Sequence, residues 1–287
     1  MLDDLSTGHR DAVPDGAGFV AGRVHDAAAE VLAAGRYDGV LHFAAFALVA
    51  ESVADPYRYW ENNLVGSLHL LAAMREAGVP RLVFSSTCAT YGAPARMPIT
   101  EDTPTQPINP YGQCKLAVDH LLTGWAQAYG LAAVSLRYFN VGGAHAGLGE
   151  RHDPETHLIP NVLAVPLGQR AEVEVYGTDY PTRDGTAVRD YLHVADLGRA
   201  HLLALAAAAP GHRIYNLGTG TGYTVREVID ACRRVTGRPI RATDQPRRPG
   251  DPAALVAASN RITADLGWKP ELGLDRIVAD AWAFHTR

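Results

Sequence analysis

Short apolar runs alternate with longer segments of helical periodicity through the first half of the chain. The apolar runs lie at 18–22, 39–45, 81–87 and 133–140, and a helical pattern follows each of the first three. Strands that are covered on both faces carry near-continuous apolar runs, and their alternation with helices is typical of βαβ units. The pattern predicts an α/β fold with a doubly wound parallel sheet.

The pattern changes after residue 140. Residues 141–156 are rich in Gly, His and acids and predict a loop, after which a strand at 173–177 precedes further strand–helix pairs. We expect two partly interleaved regions. The first is a domain at 1–141, to which about 187–216 return, and the second is a smaller lobe at 142–287.

The composition of the chain excludes several classes of binding partner. The 287 residues carry a formal net charge of -5, so the clustered excess of Lys and Arg that nucleic-acid binding needs is missing. The longest apolar run, at 202–209, is too short to span a bilayer, and no secretion leader opens the chain. Three widely spaced cysteines indicate a reducing compartment. We expect a cytoplasmic protein without nucleic-acid or membrane partners.

A tyrosine and a lysine at helical spacing are the leading candidates for chemistry. Lys115 and Lys269 are the only lysines among 26 basic residues, so a lysine here can serve a role that arginine cannot. Tyr111 and Lys115 stand four apart, which places both side chains on one helix face. A protonated lysine favours the phenolate, and lowering a tyrosine pKa from about 10 to about 7 requires about 4 kcal/mol. Tyr111 would then act as a general base on a hydroxyl.

A hydroxyl is predicted beside the same pair. The segment FSSTCATYG follows the apolar run at 81–87, and the carboxyl end of a strand would place Thr87 near Tyr111. The residues alone leave two other interpretations open. Tyr111 and Lys115 could lie on the surface of an ordinary helix, and Thr87 could simply cap a turn.

Several segments together resemble the UDP-glucose 4-epimerases of the extended short-chain dehydrogenase/reductase family. They are VLHFAA, ESVADP, ENNLVGS, FSSTCATYG, PYGQCK, LRYFN, YPTRDGTAVRDYLHVADL, YNLGTG and RRPGDPAAL, and they run through the whole chain. The most specific is YPTRDGTAVRDYLHV, because related nucleotide-sugar enzymes usually lack its first part. The resemblance implies a Rossmann-like fold and an isomerase that interconverts UDP-glucose and UDP-galactose by transient oxidation at C4 with bound NAD. It also implies that the domain at 1–141 binds NAD and that the lobe at 142–287 binds the UDP-sugar.

The resemblance also implies catalytic roles. Tyr111 would take the proton of the sugar 4-hydroxyl, Thr87 would hydrogen-bond the same oxygen, and Lys115 would hold the nicotinamide ribose and lower the tyrosine pKa. Asp3, at the end of a strand, would bind the adenosine ribose and favour NAD over NADP. The implied cofactor residues are Asp3, Asp4, Val24, Phe43, Ala44, Asn62, Ser85, Tyr111, Lys115 and Phe139.

The substrate residues follow from the same resemblance. Those implied to contact the UDP-sugar are Thr87, Asn140, His157, Leu158, Tyr176, Arg189, Arg248, Asp251 and Leu255. Arg189 and Arg248 would meet the diphosphate, because a guanidinium suits phosphate oxygens. Tyr176 would lie near uracil and Asp251 near the UDP ribose. Leu255 stands where some members carry a bulky Tyr, which leaves the range of sugars open.

Some positions depart from the family pattern. Arg23 stands where an acid usually lies near the adenine, and Ala47 stands where many members carry a lysine beside the cofactor. The opening MLDDLSTGH resembles the carboxyl end of a strand, and no G-x-x-G-x-x-G follows a strand in the chain. We therefore expect an N-terminally truncated chain whose first βα unit, with its phosphate loop, is missing. The segment GTGTGY at 218–223 is expected to be structural, with Thr224 and Glu227 forming a capping box.

Other functions remain as alternatives. A sugar-nucleotide 4,6-dehydratase would need an Asp-Glu pair after the threonine, where Cys88 and Ala89 stand. A catalytically impaired nucleotide-sensing relative is the second alternative, because the glycine loop is absent. The spacing of His145, His152, His157, Asp153 and Glu155 fits no standard zinc pattern, so no metal is expected. A homodimer is compatible with the resemblance.

Overall fold

A four-stranded sheet organises the first part of the computed structural model, which describes residues 1–248 and 250–287. The strands are β1 Leu2–Asp3, β2 Val20–Ala21, β3 Val40–His42, β4 Arg81–Thr87, β5 Ala132–Tyr138, β6 Asn140–Gly142, β7 Ala144–His145, β8 Leu148–Gly149, β9 Val173–Tyr176, β10 Val188–Arg189, β11 Tyr191–His193, β12 Gly211–Leu217, β13 Tyr223–Thr224, β14 Ala242–Gln245 and β15 Ala254–Leu255. The sheet has the order β12-β5-β4-β3, and β1 pairs in parallel with β2 in a separate ladder.

Ten α-helices are assigned in the described residues. They are α1 Val24–Ala33, α2 Val49–Ala54, α3 Pro56–Tyr59, α4 Gly66–Glu76, α5 Pro110–Tyr129, α6 Leu158–Leu163, α7 Val194–Ala207, α8 Val225–Thr236, α9 Asn260–Leu266 and α10 Leu274–His285. A π-helix at Trp60–Val65 and 3-10 turns at Arg10–Ala12 and Cys88–Tyr91 complete the helical elements. None of the helices in the described ranges is both long and apolar enough to cross a membrane.

The described residues divide into two units. The first comprises 1–92, 104–137 and 201–215, and the second comprises 93–103, 138–200 and 216–287. The sequence analysis assigned about 187–216 to the first region, whereas 201–215 belong to it by contact, and 93–103 join the second unit. The boundary therefore falls within α7, which begins in the second unit and ends in the first.

The core of the first unit lies between helices and the sheet. Leu32 of α1, Leu71 of α4 and Leu122 of α5 are buried in one cluster with Leu82 and other residues of β4. Strands β3 and β4 run parallel, with Leu41 opposite Val83. The predicted α/β fold with a parallel, Rossmann-like sheet is confirmed.

The second unit is built from small ladders, the helices α6, α8, α9 and α10, and the first part of α7. Strands β9 and β14 are parallel, as are β6 and β11, and β10 lies between β13 and β15. Side chains of α6, α8 and α10 form its core, with Leu163, Val228 and Ile277 fully buried. Thr224 and Glu227 form the predicted capping box at the start of α8.

Candidate functional site

Local sequence explains why α5 begins where the candidate chemistry lies. Asn109 caps the helix by accepting a hydrogen bond from the Gly112 N–H at 2.8 Å, and Pro110 occupies the first turn, where its missing N–H costs nothing. The helix ends at Gly130, which adopts the left-handed conformation (φ 72°). Tyr111 and Lys115 thus lie in the first two turns of a 20-residue helix, on one face.

Lys115 is buried against the end of β4. Its Nζ donates a hydrogen bond to the main-chain oxygen of Ser85 at 2.8 Å. The same nitrogen lies 4.8 Å from the centre of the Phe84 ring and 5.9 Å from that of Tyr111. Lys115 is only 3% exposed, which excludes the surface-pair interpretation.

Burial shifts the pKa of two basic groups here. The pKa of Lys115 is lowered from 10.5 to about 8 by burial, while the charge of Asp119 and the thiol Cys114 oppose this shift. The pKa of His42 is lowered to about 3 by burial and by the charge of Lys115. His42 is therefore neutral at physiological pH, and its Nε2 lies 2.9 Å from the Ser67 hydroxyl.

Thr87 ends β4 and caps the 3-10 turn that follows. Its hydroxyl oxygen accepts a hydrogen bond from the Ala89 N–H at 3.1 Å, and its main-chain oxygen accepts one from the Thr90 hydroxyl. The capping role that the sequence left open is therefore present. It does not exclude catalysis, because a hydroxyl that accepts one bond retains its own hydrogen for donation.

Six of the ten proposed cofactor residues line a single cavity of the first unit. The lining residues are Asp3, Asp4, Ser6, Thr7, Gly8, Gly22, Arg23, Val24, Phe43, Ala44, Ala45, Phe46 and Asn62. Ser85, Tyr111 and Lys115 lie in the same unit at the β4–α5 contact. Phe139 belongs to the second unit and is 6% exposed.

The acidic end of β1 is shaped by its own loop. Asp3 accepts a hydrogen bond from the Leu5 N–H at 2.7 Å, and Asp4 accepts one from the Ser6 N–H at 2.9 Å. A Cβ on Gly8 would stand 2.6 Å from Asp3 Oδ1, so only glycine permits this close approach. The cavity thus offers carboxylate acceptors beside a tight glycine turn, and such acceptors fit the ribose hydroxyls of NAD, which would donate to them.

Two residues that hold lining residues of this cavity in place were missed by the sequence analysis. The Asn63 side chain accepts a hydrogen bond from the Phe46 N–H at 2.9 Å and donates one to the Phe46 oxygen at 3.0 Å, which fixes the loop after β3. Glu61 forms an ion pair with Arg23 at 2.6 Å, so the unusual arginine is held in place. Both lie in the π-helix, and their only signal was the polar ENN segment.

The proposed substrate residues form two close pairs in the second unit. The Arg248 guanidinium lies 3.8 Å above the Tyr176 ring, and Arg189 lies 3.7 Å from Asp251. Arg189 also donates a hydrogen bond to the Pro252 oxygen at 2.9 Å and lies opposite Leu255 in the β10–β15 ladder.

The other substrate candidates stand at the ends of elements. Asn140 is the exposed first residue of β6, and its N–H donates to the Asp190 oxygen at 2.9 Å. His157 is the N-cap of α6, and Leu158 is the first residue of that helix.

A loop before α6 brings together Glu150, His152, Glu155 and His157, whose potential ligand atoms lie within 4.8 Å of one another. His145 and Asp153 are not in this group. Burial would raise the pKa of Glu150, but hydrogen bonds from His152 and His157 lower it to about 2. Hydrogen bonds to Glu150 and Glu155 raise the pKa of His152 to about 10. These mutual bonds account for the grouping, and the absence of a metal stays a prediction.

Comparison with known proteins identifies the family. The model of the NAD dependent epimerase/dehydratase family matches residues 1–218. The UDP-glucose 4-epimerase of Corynebacterium glutamicum is 55% identical over 286 residues, which cover 99% of this chain and 87% of that protein. The UDP-glucose 4-epimerase of Streptomyces lividans is 55% identical over 291 residues, which cover 100% of this chain and 88% of that protein.

Comparison with solved structures supports the same family. The UDP-glucose 4-epimerase of Brucella ovis in complex with NAD is 46% identical with a TM-score of 0.94, covering 98% of this chain and 89% of that one. The enzyme of Bifidobacterium longum in complex with NAD+ and UDP is 40% identical with a TM-score of 0.93, covering 99% and 90%. The chain belongs to the NAD dependent epimerase/dehydratase family. The predicted resemblance to the UDP-glucose 4-epimerases is confirmed.

Proposed function

We propose that this protein is an NAD-dependent isomerase that interconverts UDP-glucose and UDP-galactose at C4 of the hexose. The observation that carries the proposal is the Tyr111–Lys115 face of α5, with the Lys115 ammonium held against the end of β4 by the Ser85 oxygen. The relatives named above, at 55% identity over nearly the whole chain, support the same reaction.

The first unit would hold the cofactor. Asp3 and Asp4 would accept hydrogen bonds from the adenosine ribose, and Val24, Phe43, Ala44 and Asn62 would line its site, since all six border one cavity. Ser85, Tyr111, Lys115 and Phe139 would lie towards the nicotinamide. When bound, NAD supplies the means to remove a hydride from C4 and to return it.

Acid–base catalysis would fall to Tyr111. Its phenolate oxygen would accept the proton of the 4-hydroxyl as the C4–H bond breaks, and would return that proton when the opposite epimer forms. The Thr87 hydroxyl would donate a hydrogen bond to the same substrate oxygen. A protonated Lys115 would stabilise the phenolate, because a nearby positive charge favours the charged form of an acid.

The second unit would bind the UDP moiety. Arg189 and Arg248 would contact the diphosphate, Tyr176 the uracil side and Asp251 the ribose. Asn140, His157 and Leu158 would complete the contacts, with Leu255 at the sugar. The observed Tyr176–Arg248 and Arg189–Asp251 pairs support these roles by bringing the aromatic, cationic and acidic groups together.

We also propose a cytoplasmic homodimer. The three cysteines are free, which suits a reducing compartment. Val65 next to α4, Leu68 on α4 and Tyr129 at the end of α5 are exposed apolar or aromatic side chains that a second copy could cover. Light scattering on the purified protein would measure the assembly, and a single-chain mass would contradict the dimer.

The decisive experiment supplies the purified protein with UDP-galactose and NAD and measures UDP-glucose by its separation on anion exchange. We expect conversion towards an equilibrium mixture from either sugar. Accumulation of a 4-keto-6-deoxy sugar would favour the dehydratase instead, although Cys88 and Ala89 offer no acid there. Binding of NAD and UDP without turnover would favour the nucleotide-sensing alternative.

A further inference from the structure

A buried ion pair lies one helical turn beyond Lys115. Asp119 continues the 111, 115 spacing along α5, and its Oδ2 accepts two hydrogen bonds from Arg137 of β5, from Nε at 3.0 Å and from Nη2 at 2.7 Å. Asp119 and Arg137 are 2% and 3% exposed. Burying an ion pair this completely carries a large desolvation cost, which its mutual attraction offsets only in part. Stability of the packed core is therefore not a sufficient reason for the pair.

The same carboxylate reaches the strand that carries the candidate chemistry. The hydroxyl of Ser86 donates to Asp119 Oδ2 at 3.3 Å. Ser86 stands between Ser85, whose oxygen holds Lys115, and Thr87, the proposed hydroxyl donor. Asp119 of α5 therefore forms hydrogen bonds with both β4 and β5, next to the residues of β4 that are proposed to act in catalysis.

We propose that Asp119 and Arg137 act as a positioning pair that fixes Lys115 and sets how firmly it keeps its proton. This inference rests on the proposed function, in which a protonated Lys115 supports Tyr111. Neither residue of the pair is expected to touch the substrate. They act through Lys115 and through the end of β4.

The pair can change the pKa of Lys115 because few other charged groups surround this lysine. The ammonium contacts the Ser85 oxygen and lies near the rings of Phe84 and Tyr111. The groups that interact with it electrostatically are Asp119 and Cys114 of α5 and the neutral His42 of β3. Asp119 is the one anionic carboxylate in this set. Both Arg137 bonds go to Oδ2, and within the described residues the buried Oδ1 has no hydrogen-bond partner. Part of the carboxylate charge thus remains to act on Lys115, and it opposes the lowering of the lysine pKa by burial.

The two members of the pair should move the lysine in opposite directions. Asp119→Asn removes the anion and leaves the Arg137 charge unbalanced, so the pKa of Lys115 should fall by about one unit or more. Arg137→Met removes the cation and should raise the pKa of Lys115. A role in packing alone would not reverse the sign between the two variants.

Lysine labelled with ¹³C at Cε allows a direct measurement, because Lys115 and Lys269 are the only lysines. NMR titration of the full chain gives one curve for each, and exposed Lys269 serves as the internal reference. Shifts of opposite sign for Lys115, with Lys269 unchanged, support the pair. Shifts of the same sign, or none, in folded variants overturn it.

Two charge-conserving variants keep the test open if the first ones fail to fold. Asp119→Glu and Arg137→Lys should leave the pKa of Lys115 within a few tenths of a unit, because the charges remain. They should lower kcat about tenfold with little change in KM, because the end of β4 is displaced. A pKa shift of one unit, or an unchanged kcat, in either variant would overturn the proposal.

The titration separates this inference from the proposed function. The titration needs no turnover. If a protein without epimerase activity showed opposite shifts of the Lys115 pKa in the two variants, the result would support the electrostatic role of the pair and contradict the proposed reaction. In an active enzyme, the pH at which kcat depends on Lys115 should move with the pKa measured by NMR. An active enzyme whose kcat profile does not follow that pKa would overturn the positioning role alone.

Discussion

The ammonium nitrogen of Lys115 lies 2.8 Å from the main-chain oxygen of Ser85 and has almost no access to water. One carbonyl does not replace the hydration of an ammonium group, so the pKa falls to about 8. The unfolded chain binds this proton up to about pH 10.5. Stability should therefore rise with pH between about 8 and 10.5, because the unfolded state then binds more protons.

Replacing this lysine should stabilise the fold at neutral pH. Lys115→Met removes the cost of burying the charge, so we expect the free energy of unfolding at pH 7 to increase by about 1–3 kcal/mol. The gain should vanish as the pH approaches 10.5. Urea unfolding across pH 7–10 measures the difference, and Lys269→Met at an exposed site is the matched control. A gain that does not depend on pH would contradict the charge-based explanation.

Removing the proposed base should abolish most of the activity. Tyr111→Phe retains the ring but loses the ionisable oxygen, so kcat should fall at least about 100-fold, the low end for a positioned acid–base group. UDP affinity, measured by calorimetry, should remain within about twofold, because the proposed UDP contacts lie in the second unit. Near-normal turnover would remove Tyr111 from the mechanism.

A single methyl group should disturb the acidic end of β1. The Cβ of Gly8→Ala would stand 2.6 Å from Asp3 Oδ1 and would have to displace it, so NAD affinity should fall about tenfold. Gly18→Ala is the control, because nothing lies within 4 Å of its Cβ. Cofactor fluorescence titration measures both variants, and equal affinities would show that Asp3 does not bind the cofactor.

The proposed wall of the sugar pocket offers a test of substrate range. Leu255 is smaller than the tyrosine that some family members carry, so we expect UDP-N-acetylglucosamine to be a secondary substrate. Leu255→Tyr should remove that activity and preserve the conversion of UDP-glucose. Parallel assays of both sugars decide this. An N-acetyl activity that survives in the variant would place the specificity elsewhere.

Sequence periodicity predicted those features of the candidate site that lie within a single helix or strand. Tyr111 and Lys115 share a helix face whatever the surroundings, and Thr87 ends a strand because the apolar run ends there. The contacts of Asn63 depend on a π-turn that changes the helical register, which no spacing rule reveals. Arg137 lies on β5 and Asp119 on α5, so the pair emerges only when this helix and this strand come together in the fold.

The junction between the units within α7 has a consequence for inheritance and engineering. The chain passes from one unit to the other at 92/93, 103/104, 137/138, 200/201 and 215/216. A gene that encoded either unit alone would have to join three separate segments, and the cut at 200/201 would fall inside the continuous helix α7. Neither unit can therefore be exchanged as one continuous gene segment, and the proposed sugar specificity is more directly altered by point substitutions such as Leu255→Tyr.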